Sequence, residues 1–441
     1  MKPKIKDIEI NLEDFNAMIA SLESILAHRR KRPTTKSAEL FYEHQINYYK
    51  DIRDTKKNGK LFVLHSAFAP VEILYAFDVV PAHASFLVGA IAQLTKKQGE
   101  YMDASSRFGY PWEVCQGHRP VVGGALLKKA PKPDLCISVQ IGCTNAASST
   151  MGLARAYNIP IYYLDMSYGG KREVDFAYYI ENLKELITFL EGFTGKKFDW
   201  NKLREIVDIE RQIAEINLEI MEMRKTIPSP VRHRGFTQQY SVDMFTPGTP
   251  EALNFFKCVR EEIRENVEKG VGPIETPERY RILSILMPPN FSHKLLDWME
   301  EEHGIFSVGE PHMAYWPPNI KLDPDHPLES LANKYYNRPM VAQLICPAQA
   351  CLIPDTIQLA RDYNADGAIF YANVTCHTSP VLIRSVKDTL LETAGIPTLV
   401  LDMDVADPNY TSQEEMQERI ETFMEIMESY KEKRRREGKI S

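Results

Sequence analysis

The spacing of apolar residues separates helical regions from mixed regions along the chain. In residues 1–60, apolar side chains recur every three or four positions, which predicts one helix through Leu12–Leu26 and a second through Phe41–Tyr49. Residues 61–174 instead alternate short apolar runs, turn residues and amphipathic segments. This alternation is typical of an α/β fold.

The helical pattern and the α/β pattern then occur a second time. Residues 175–275 return to a helical pattern, broken by the Pro-rich segment Ile227–Pro230, and residues 276–441 return to the α/β pattern. A last helix is expected to begin near Ser412, because Glu414 and Glu415 then fall in its first turn. We therefore predict an N-terminal helical segment, a first α/β domain, a helical connecting region and a second α/β domain, with these boundaries.

A unit of strand, cysteine, helix and strand occurs once in each α/β region. The first copy covers residues 134–166 with Cys143 after its first strand, and the second covers residues 366–403 with Cys376 in the same place. In both copies the helix is followed by Asn/Gly-Ile-Pro and the last strand ends in Leu-Asp-Met. The repeat predicts two similar α/β domains with parallel sheets and βαβ crossovers, facing a common cleft.

Composition narrows the class of protein. The 441 residues are 44% apolar and 26% charged with a net charge of −7, which excludes a disordered chain and gives no basic field for nucleic acid. Met1–Asp7 is polar, without a signal-peptide core, and the apolar stretch Leu61–Leu94 is interrupted by Pro, Glu and Asp. We expect a cytoplasmic protein without membrane contact. No GxxxxGK[ST] or GxGxxG motif occurs, so we expect this chain to bind neither ATP nor NAD.

The seven cysteines fall in different settings, and reduced thiols or metal ligands are expected in a cytoplasmic protein. Cys143 and Cys376 follow strands and precede helices, where a helix amino terminus favours an anionic thiolate, and Cys115 precedes the helical run from Arg119 to Lys129. Three such thiolates without metal-type histidine spacing suit an iron–sulfur cluster better than a closed zinc site. The others are two predicted core residues, Cys136 and Cys258, and two undecided ones, Cys346 and Cys351.

Several stretches together resemble one known family. In chain order they are His65–Leu74, Gly109–Gly123, the Cys143 unit, Glu268–Ile274, Pro288–Ser292, Asp323–Leu328, the Cys376 unit and Asp402–Tyr410. Their order resembles the 2-hydroxyacyl-CoA dehydratase and benzoyl-CoA reductase family, and most of all its B-type subunits of ATP-dependent benzoyl-CoA reductase. The likeness extends over most of the chain from about residue 60 onward.

This resemblance implies a cofactor, a substrate class and partners. Cys115, Cys143 and Cys376 would each give one thiolate to a [4Fe–4S] cluster, which leaves one iron open. Members of the family act on a CoA thioester as a ketyl radical anion. The electron comes from a separate ATP-hydrolysing iron–sulfur activator, and a related second subunit with its own cluster completes the catalytic module.

Polar residues near the proposed ligands are candidates for acid–base and substrate contacts. His377 and His118 lie close to ligands in sequence, as proton donors or as hydrogen-bond donors to sulfur. His65, Ser66 and Glu72 lie near the end of a predicted strand and are candidate substrate-binding residues, although Glu72 would equally suit a helix cap. Thr144 replaces the acidic residue that follows the second ligand in many dehydratases.

Three further interpretations stay open at this point. The first is a 2-hydroxyacyl-CoA dehydratase subunit, a lyase on the same scaffold. The second is an electron-transfer protein that carries a double-cubane cluster, for which Cys136, Cys346 and Cys351 are spare thiols. The third is a metal-free structural subunit. The iron content distinguishes the double-cubane protein, since a single cubane gives about four irons per chain and a double cubane about eight.

Overall fold

The computed structural model contains two four-stranded parallel sheets surrounded by helices. It describes residues 10–32, 34–141, 143–169, 172–289, 293–313 and 316–437. The polar segment Met1–Asp7, Gly142 of the first repeat and Asn290–Ser292 of the family-like stretches therefore lie outside the described residues.

Helices precede, connect and follow the strands. The strands are β1 (Phe62–His65), β2 (Val80–His83), β3 (Leu135–Gln140), β4 (Ile161–Asp165), β5 (Tyr280–Ile285), β6 (Ile305–Gly309), β7 (Gly367–Asn373) and β8 (Thr398–Met403). The helices up to β4 are α1 (Glu13–Arg29), α2 (Lys36–Asp54), α3 (Val71–Ala76), α4 (Ala84–Leu94), α5 (Gln98–Arg107), α6 (Arg119–Leu126) and α7 (Thr144–Tyr157). After β4 come α8 (Glu173–Thr194), α9 (Trp200–Met223), α10 (His233–Phe245), α11 (Pro250–Lys269), α12 (His293–Glu301), α13 (Pro327–Asn337), α14 (Pro339–Ile345), the 3₁₀ turn Ala348–Ala350, α15 (Leu352–Asp362), α16 (Ser379–Ala394) and α17 (Gln413–Arg436).

The two sheets have the same topology. Their strand orders are β2-β1-β3-β4 and β6-β5-β7-β8, and every pairing is parallel. Each strand of the first sheet thus has a counterpart at the same position in the second. The predicted α/β fold with two similar parallel sheets is confirmed, as are the N-terminal helices α1 and α2 and the central helices α8–α11.

The repeated Asn/Gly-Ile-Pro motif has a local physical cause. Helix α7 ends at Asn158 with φ 52°, and α16 ends at Gly395 with φ 64°. These are left-handed conformations that asparagine and glycine adopt readily, and the proline two residues later prevents the helix from continuing. The motif therefore stops each crossover helix and returns the chain to the sheet.

Strand burial follows the parallel arrangement. The inner strands β1 and β5 and the edge strand β6 are buried along their whole length, as expected for strands covered on both faces. The edge strands β4 and β8 carry exposed or half-buried residues. In the second sheet, the core includes Leu283, Phe306, Val308 and Phe370. Among the described residues, no helix combines the length and the hydropathy needed to cross a bilayer.

The chain forms two compact units. The first comprises Met1–Ile213, Val242–Phe255 and Lys321–Tyr336, and the second Ala214–Ser241, Phe256–Ile320 and Asn337–Ser441. Four of the five boundaries fall inside α9, α10, α11 and α13, and the fifth, between Ile320 and Lys321, falls between β6 and α13. The first unit contains the sheet β1–β4, and the second contains the sheet β5–β8.

Candidate functional site

Cys143 lies in the connection between strand β3 of the first sheet and the crossover helix α7. It is the N-cap residue of α7, beyond the carboxyl end of β3, and it is half-buried. Its Sγ lies 3.7 Å from Nε2 of His118. The thiol therefore has both a helix amino terminus and an imidazole nitrogen beside it, two features that stabilise a thiolate.

Cys115 lies in a loop that packs on the same helix. Its carbonyl oxygen accepts hydrogen bonds from the backbone N–H groups of His118 at 2.9 Å and Arg119 at 3.1 Å. The Tyr110 hydroxyl donates to the carbonyl of Ser148 on α7 at 2.6 Å. His118 thus bonds to the Cys115 backbone through its own backbone and contacts Cys143 through its ring, and it links two of the proposed ligands within the first unit.

Three histidines line the carboxyl edge of the first sheet. The register of β1 and β2 pairs His65 with His83, and their ring centroids lie 5.6 Å apart, edge to face. The third histidine, His118, faces Cys143 through Nε2 and is bonded through Nδ1 to Ser85 Oγ at 2.6 Å. Sequence reasoning named His65 and His118 but missed His83 and Ser85. Ligand-binding residues in parallel sheets lie beyond the carboxyl ends of the strands, which is the reason for selecting His65 after β1. The same rule applied to β2 selects His83 and Ser85, but the sequence pattern did not reveal β2.

Burial keeps these histidines uncharged at neutral pH. Desolvation lowers the pKa of His65 to about 4, and it lowers the pKa of His118 to about 4 although that ring retains some exposure. The pKa of His83 is lowered well below its usual value by burial and by the neighbouring His65 and His118. At pH 7 this edge therefore offers neutral hydrogen-bond donors and acceptors rather than positive charge.

His65 and Ser66 are fixed by the backbone around them. His65 Nδ1 contacts the carbonyl of Ser66 at 2.8 Å, and Ser66 Oγ accepts a hydrogen bond from the Val139 N–H at 2.7 Å. Each residue is 2% exposed. The Ser66 hydroxyl therefore ties β1 to β3, and its proton remains available for one further acceptor.

Glu72 lies in the first turn of α3 and is completely buried. Its Oε1 accepts a hydrogen bond from Lys334 Nζ at 2.9 Å, and its Oε2 accepts one from the Tyr335 hydroxyl at 2.9 Å. Lys334 also bonds to the carboxylate of Glu210, whose pKa is raised to about 7 by burial. Both oxygens of Glu72 are thus engaged by protein groups, and the lysine is shared between two carboxylates.

Cys376 lies in the second unit, in the turn between β7 and α16. Helix α16 has Thr378 as its N-cap, so Cys376 precedes the cap by two residues, whereas Cys143 is itself the cap. The turn is held by Thr375, whose hydroxyl donates to Asp404 Oδ2 at 2.8 Å, and Cys376 Sγ lies 3.3 Å from Thr378 Oγ1. Cys376 is half-buried, and His377 beside it is exposed.

The remaining cysteines separate by burial. Cys136 is completely buried within β3 as predicted, and burial raises the pKa of its thiol to about 12. Cys258, predicted as core, is only half-buried, and its Sγ lies 3.7 Å from Oε1 of Glu262, one turn along α11. Cys346 and Cys351 are buried in the second unit. The other half-buried cysteines, Cys115, Cys143 and Cys376, lie in loops or at a helix cap, outside the strands.

These donors fit a thiolate-held cluster in chemistry. Their atoms are sulfur, which iron–sulfur clusters require, and the imidazole beside Cys143 is the kind of neighbour that hydrogen-bonds a ligand sulfur. Over the described part of the chain, no three His, Cys, Asp or Glu side chains are grouped closely enough to hold a metal ion. The assignment of the three cysteines as ligands stays a prediction.

Comparison with known proteins defines the class. The model of the 2-hydroxyglutaryl-CoA dehydratase D-component family matches residues 66–427. Because this match covers most of the chain, the protein belongs to that family.

Individual relatives come from both reductases and dehydratases. The B-type subunit of benzoyl-CoA reductase from Thauera aromatica is 25% identical over 410 residues, which cover 86% of this chain and 92% of that protein. The alpha-type subunit of lactoyl-CoA dehydratase from Anaerotignum propionicum is 23% identical over 422 residues, covering 89% of this chain and 97% of that protein. The alpha-type subunit of (R)-phenyllactyl-CoA dehydratase from Clostridium sporogenes is 24% identical over 391 residues, covering 86% and 92%. The resemblance to this group of CoA-thioester enzymes is thereby confirmed.

Proposed function

We propose that this chain is the iron–sulfur catalytic subunit of an enzyme of the benzoyl-CoA reductase type, which reduces the ring of an aromatic CoA thioester. Its family membership and its relatives support an enzyme that acts on CoA thioesters. The structural observation that carries the proposal is the arrangement at the first sheet edge. There Cys143 caps α7, and His118 links it to the Cys115 loop.

The proposed cofactor is a [4Fe–4S] cluster held by Cys115, Cys143 and Cys376, with one iron free of protein ligands. When bound, the cluster supplies single electrons at low potential to the thioester. The proposed partners are a related cluster-bearing second subunit and an ATP-hydrolysing iron–sulfur activator. A multi-subunit assembly is supported by the relatives, each of which is named as one subunit of a larger enzyme. We place the enzyme in the cytoplasm, without nucleic acid or membrane as a partner.

Residues of this chain would bind and orient the acyl group. We place its carbonyl near His65, His83 and Ser66 at the first sheet edge. Neutral imidazole and hydroxyl donors suit a carbonyl oxygen on which negative charge develops, because they stabilise that charge without carrying a counter-ion into the resting site. Both oxygens of Glu72 accept hydrogen bonds from Lys334 and Tyr335, so its carboxylate is already held by protein groups. In this proposal Glu72 supports the site from behind rather than touching the substrate.

Proton delivery is the second task of the chain. His377 is exposed and sits beside a proposed ligand, which makes it the better candidate donor. The ring nitrogens of His118 already contact Ser85 and Cys143, so we assign it a hydrogen-bonding role at sulfur instead.

A 2-hydroxyacyl-CoA dehydratase subunit is the second candidate. The matching family model and two of the relatives quoted above carry dehydratase names, at nearly the same identity as the reductase subunit. We favour the reductase because four stretches resemble the B-type reductase subunits: Glu268–Ile274, Pro288–Ser292, Asp323–Leu328 and Asp402–Tyr410.

Anaerobic purification with the partner subunits separates the two candidates. The complex, with a reduced activator and ATP, is given benzoyl-CoA in one assay and a 2-hydroxyacyl-CoA in the other. Electron uptake that depends on benzoyl-CoA supports the reductase. Dehydration of the 2-hydroxyacyl ester without reduction of benzoyl-CoA would replace it by the dehydratase.

Cysteine variants test the ligands in the same preparation. Cys143→Ala and Cys376→Ala are expected to lose cluster iron, whereas Cys258→Ala, a half-buried helix residue, retains it. Full iron retention in Cys376→Ala contradicts the ligand assignment. The wild-type chain should carry about four irons, and about eight would favour the double-cubane protein instead.

A further inference from the structure

A continuous polar chain runs from helix α4 to the proposed ligand Cys143. Ser85 Oγ lies 2.6 Å from His118 Nδ1, and His118 Nε2 lies 3.7 Å from Cys143 Sγ. All three side chains are half-buried and belong to the first unit. Each ring nitrogen of His118 therefore has a defined partner.

The chemistry of these partners decides which nitrogen carries the proton. A neutral imidazole has one N–H donor and one acceptor, and a thiolate sulfur accepts hydrogen bonds but donates none. If Nε2 bears the proton, it donates to Cys143, and Nδ1 must accept from Ser85. A serine hydroxyl serves as that donor because its O–H rotates freely toward an acceptor.

We propose that Ser85 is a positioning residue that holds His118 in its Nε2–H tautomer, so that His118 donates a hydrogen bond to the sulfur of Cys143. The assignment rests on the function proposed above only in taking Cys143 as a cluster ligand. Ser85 itself touches neither the sulfur nor the substrate, and it acts through the imidazole.

The local fold explains why the serine is available for this task. Ser85 is the second residue of α4, two positions after the N-cap His83, whose Nδ1 accepts from the Phe86 N–H at 3.4 Å. His83 therefore caps the helix, and the Ser85 hydroxyl is not needed as a cap. The position of His118 is also fixed, because its backbone N–H donates a hydrogen bond to the carbonyl of Cys115.

The expected consequence is a change in the properties of the bound cluster. Hydrogen bonds to ligand sulfurs stabilise the reduced, more negative state and raise the reduction potential. Loss of the Ser85 hydroxyl frees His118 to adopt the other tautomer, which presents a lone pair to the sulfur and repels it. The cluster potential should then fall.

The first test uses the metal-free full-length chain labelled with 15N-histidine. Imidazole 15N shifts distinguish the two tautomers, and the signal of His118 is identified by its loss in His118→Gln. Ser85→Ala should change the tautomer ratio about fivefold, the equivalent of one hydrogen bond of about 1 kcal/mol. Ser85→Thr, which keeps a hydroxyl, should retain the wild-type ratio. Ser85→Gly serves as the hydroxyl-free variant if Ser85→Ala does not fold.

The second test measures the cluster potential in the assembled complex by a redox titration followed by EPR. Ser85→Ala should lower the potential, and Ser85→Thr should leave it unchanged. In a His118→Gln background the serine substitution should have no further effect, because the group through which it acts is gone. Ser148→Ala, which removes a hydroxyl bonded within α7, is the matched control and should retain the wild-type potential.

Each result bears on one claim. An unchanged tautomer ratio in Ser85→Ala overturns the inference, and so does a shift in potential that persists fully in the His118→Gln background. A complex without iron overturns the proposed function instead, while the tautomer measurement on the metal-free chain still decides the role of Ser85.

Discussion

The carboxyl edges of the two sheets share a topology but handle polar groups differently. At the first edge, Glu72 is engaged at both oxygens by Lys334 and Tyr335. At the second edge, Glu310 follows β6, and its Oε1 lies 2.7 Å from His233 Nε2. Yet within the described residues neither Glu310 oxygen has a partner with hydrogen-bond geometry, and neither does Nε2 of the nearby His312.

A repeated fold thus fixes the positions of residues but not their chemistry. Strands β2 and β6 occupy corresponding places in their sheets, but β2 ends at His83 and is followed by Ser85, whereas β6 is followed by Glu310 and His312. Parallel strands direct their carboxyl ends to one edge whatever the side chains are. Both oxygens of Glu72 at the first edge are engaged, whereas the buried Glu310 and His312 at the second edge retain hydrogen-bonding capacity.

The largest effect is expected at the buried cluster of Glu72, Lys334 and Glu210 in the first unit. Lys334→Met leaves Glu72 and Glu210 buried without their cation, which should lower the free energy of unfolding by about 3–5 kcal/mol. Chemical denaturation measures the loss. Lys184→Met, which removes an exposed pair with Glu181, is the control and should change stability by less than about 0.5 kcal/mol.

The stability loss of Lys334→Met should also depend on pH. The pKa of Glu210 is about 7, above the usual 4.5, so its burial stabilises the protonated form and costs stability as the pH rises from 4.5 to 7. The deficit of Lys334→Met should therefore shrink as the pH falls, and Glu210→Gln added to it should recover part of the loss. A deficit independent of pH would mean that the lysine acts by packing alone.

The loss of stability at acid pH can be traced to one buried histidine at each edge, His65 and His312. Burial lowers the pKa of His65 to about 4 and that of His312 to about 3, below the usual 6.5. The unfolded chain therefore binds protons first as the pH falls below 6.5, and stability is lost down to the folded-state pKa. His65→Gln should reduce the loss between pH 6.5 and 4.5 by about 2–3 kcal/mol, measured by denaturation at each pH.

His312→Gln is the matched variant at the second edge. It should give a similar reduction down to pH 4.5, and its effect should extend further into the acid range, because the folded pKa of His312 is lower. Identical acid profiles for wild type and both variants would show that these rings protonate without unfolding the protein.

Much of the fold was accessible from sequence because it depends on local patterns. The repeat from residue 134 to Met166 and from residue 366 to Met403 predicts both crossovers, and Asn158 and Gly395 end their helices as the motif requires. The cap of α16 was less predictable. Thr378 takes it because Pro380 suits the first helical turn, and this leaves Cys376 upstream in a turn held by Asp404.

The partners of the candidate site residues were not accessible in this way. Glu72 meets Lys334 across 262 positions of sequence, and no periodicity connects a first-turn glutamate with a lysine on α13. His118 meets Ser85 across 33 positions, since both follow from how α4 and the Cys115 loop pack. Local sequence rules find which residues stand at an edge, while tertiary packing decides what they touch.

Glycine substitutions compare packing in the two units. A Cβ at Gly123 of α6 would lie 1.8 Å from the Tyr101 carbonyl oxygen, whereas one at Gly367 of β7 would lie 2.6 Å from Met427 Sδ. Backbone cannot yield as a methionine side chain can, so Gly123→Ala should cost about 3 kcal/mol and Gly367→Ala about 1 kcal/mol in thermal or chemical unfolding. Gly192→Ala on α8, with open space around its Cβ, should be neutral or stabilising. Equal costs at Gly123 and Gly367 would contradict the packing difference.

The hydrogen bonds that hold the cysteine loops should contribute less to stability than the buried charge cluster does. Thr375→Val removes the donor to the buried Asp404 in the Cys376 turn, and Tyr110→Phe removes the donor to the Ser148 carbonyl in the Cys115 loop. Because the acceptor of the first bond is a carboxylate, Thr375→Val should cost about 2 kcal/mol and Tyr110→Phe about 1 kcal/mol. Hydrogen exchange should show faster exchange confined to residues 374–378 in the first variant and 110–119 in the second. A larger loss of stability in Tyr110→Phe than in Thr375→Val would contradict this order. It would mean that the bond to α7 holds the Cys115 loop more tightly than the bond to Asp404 holds the Cys376 turn.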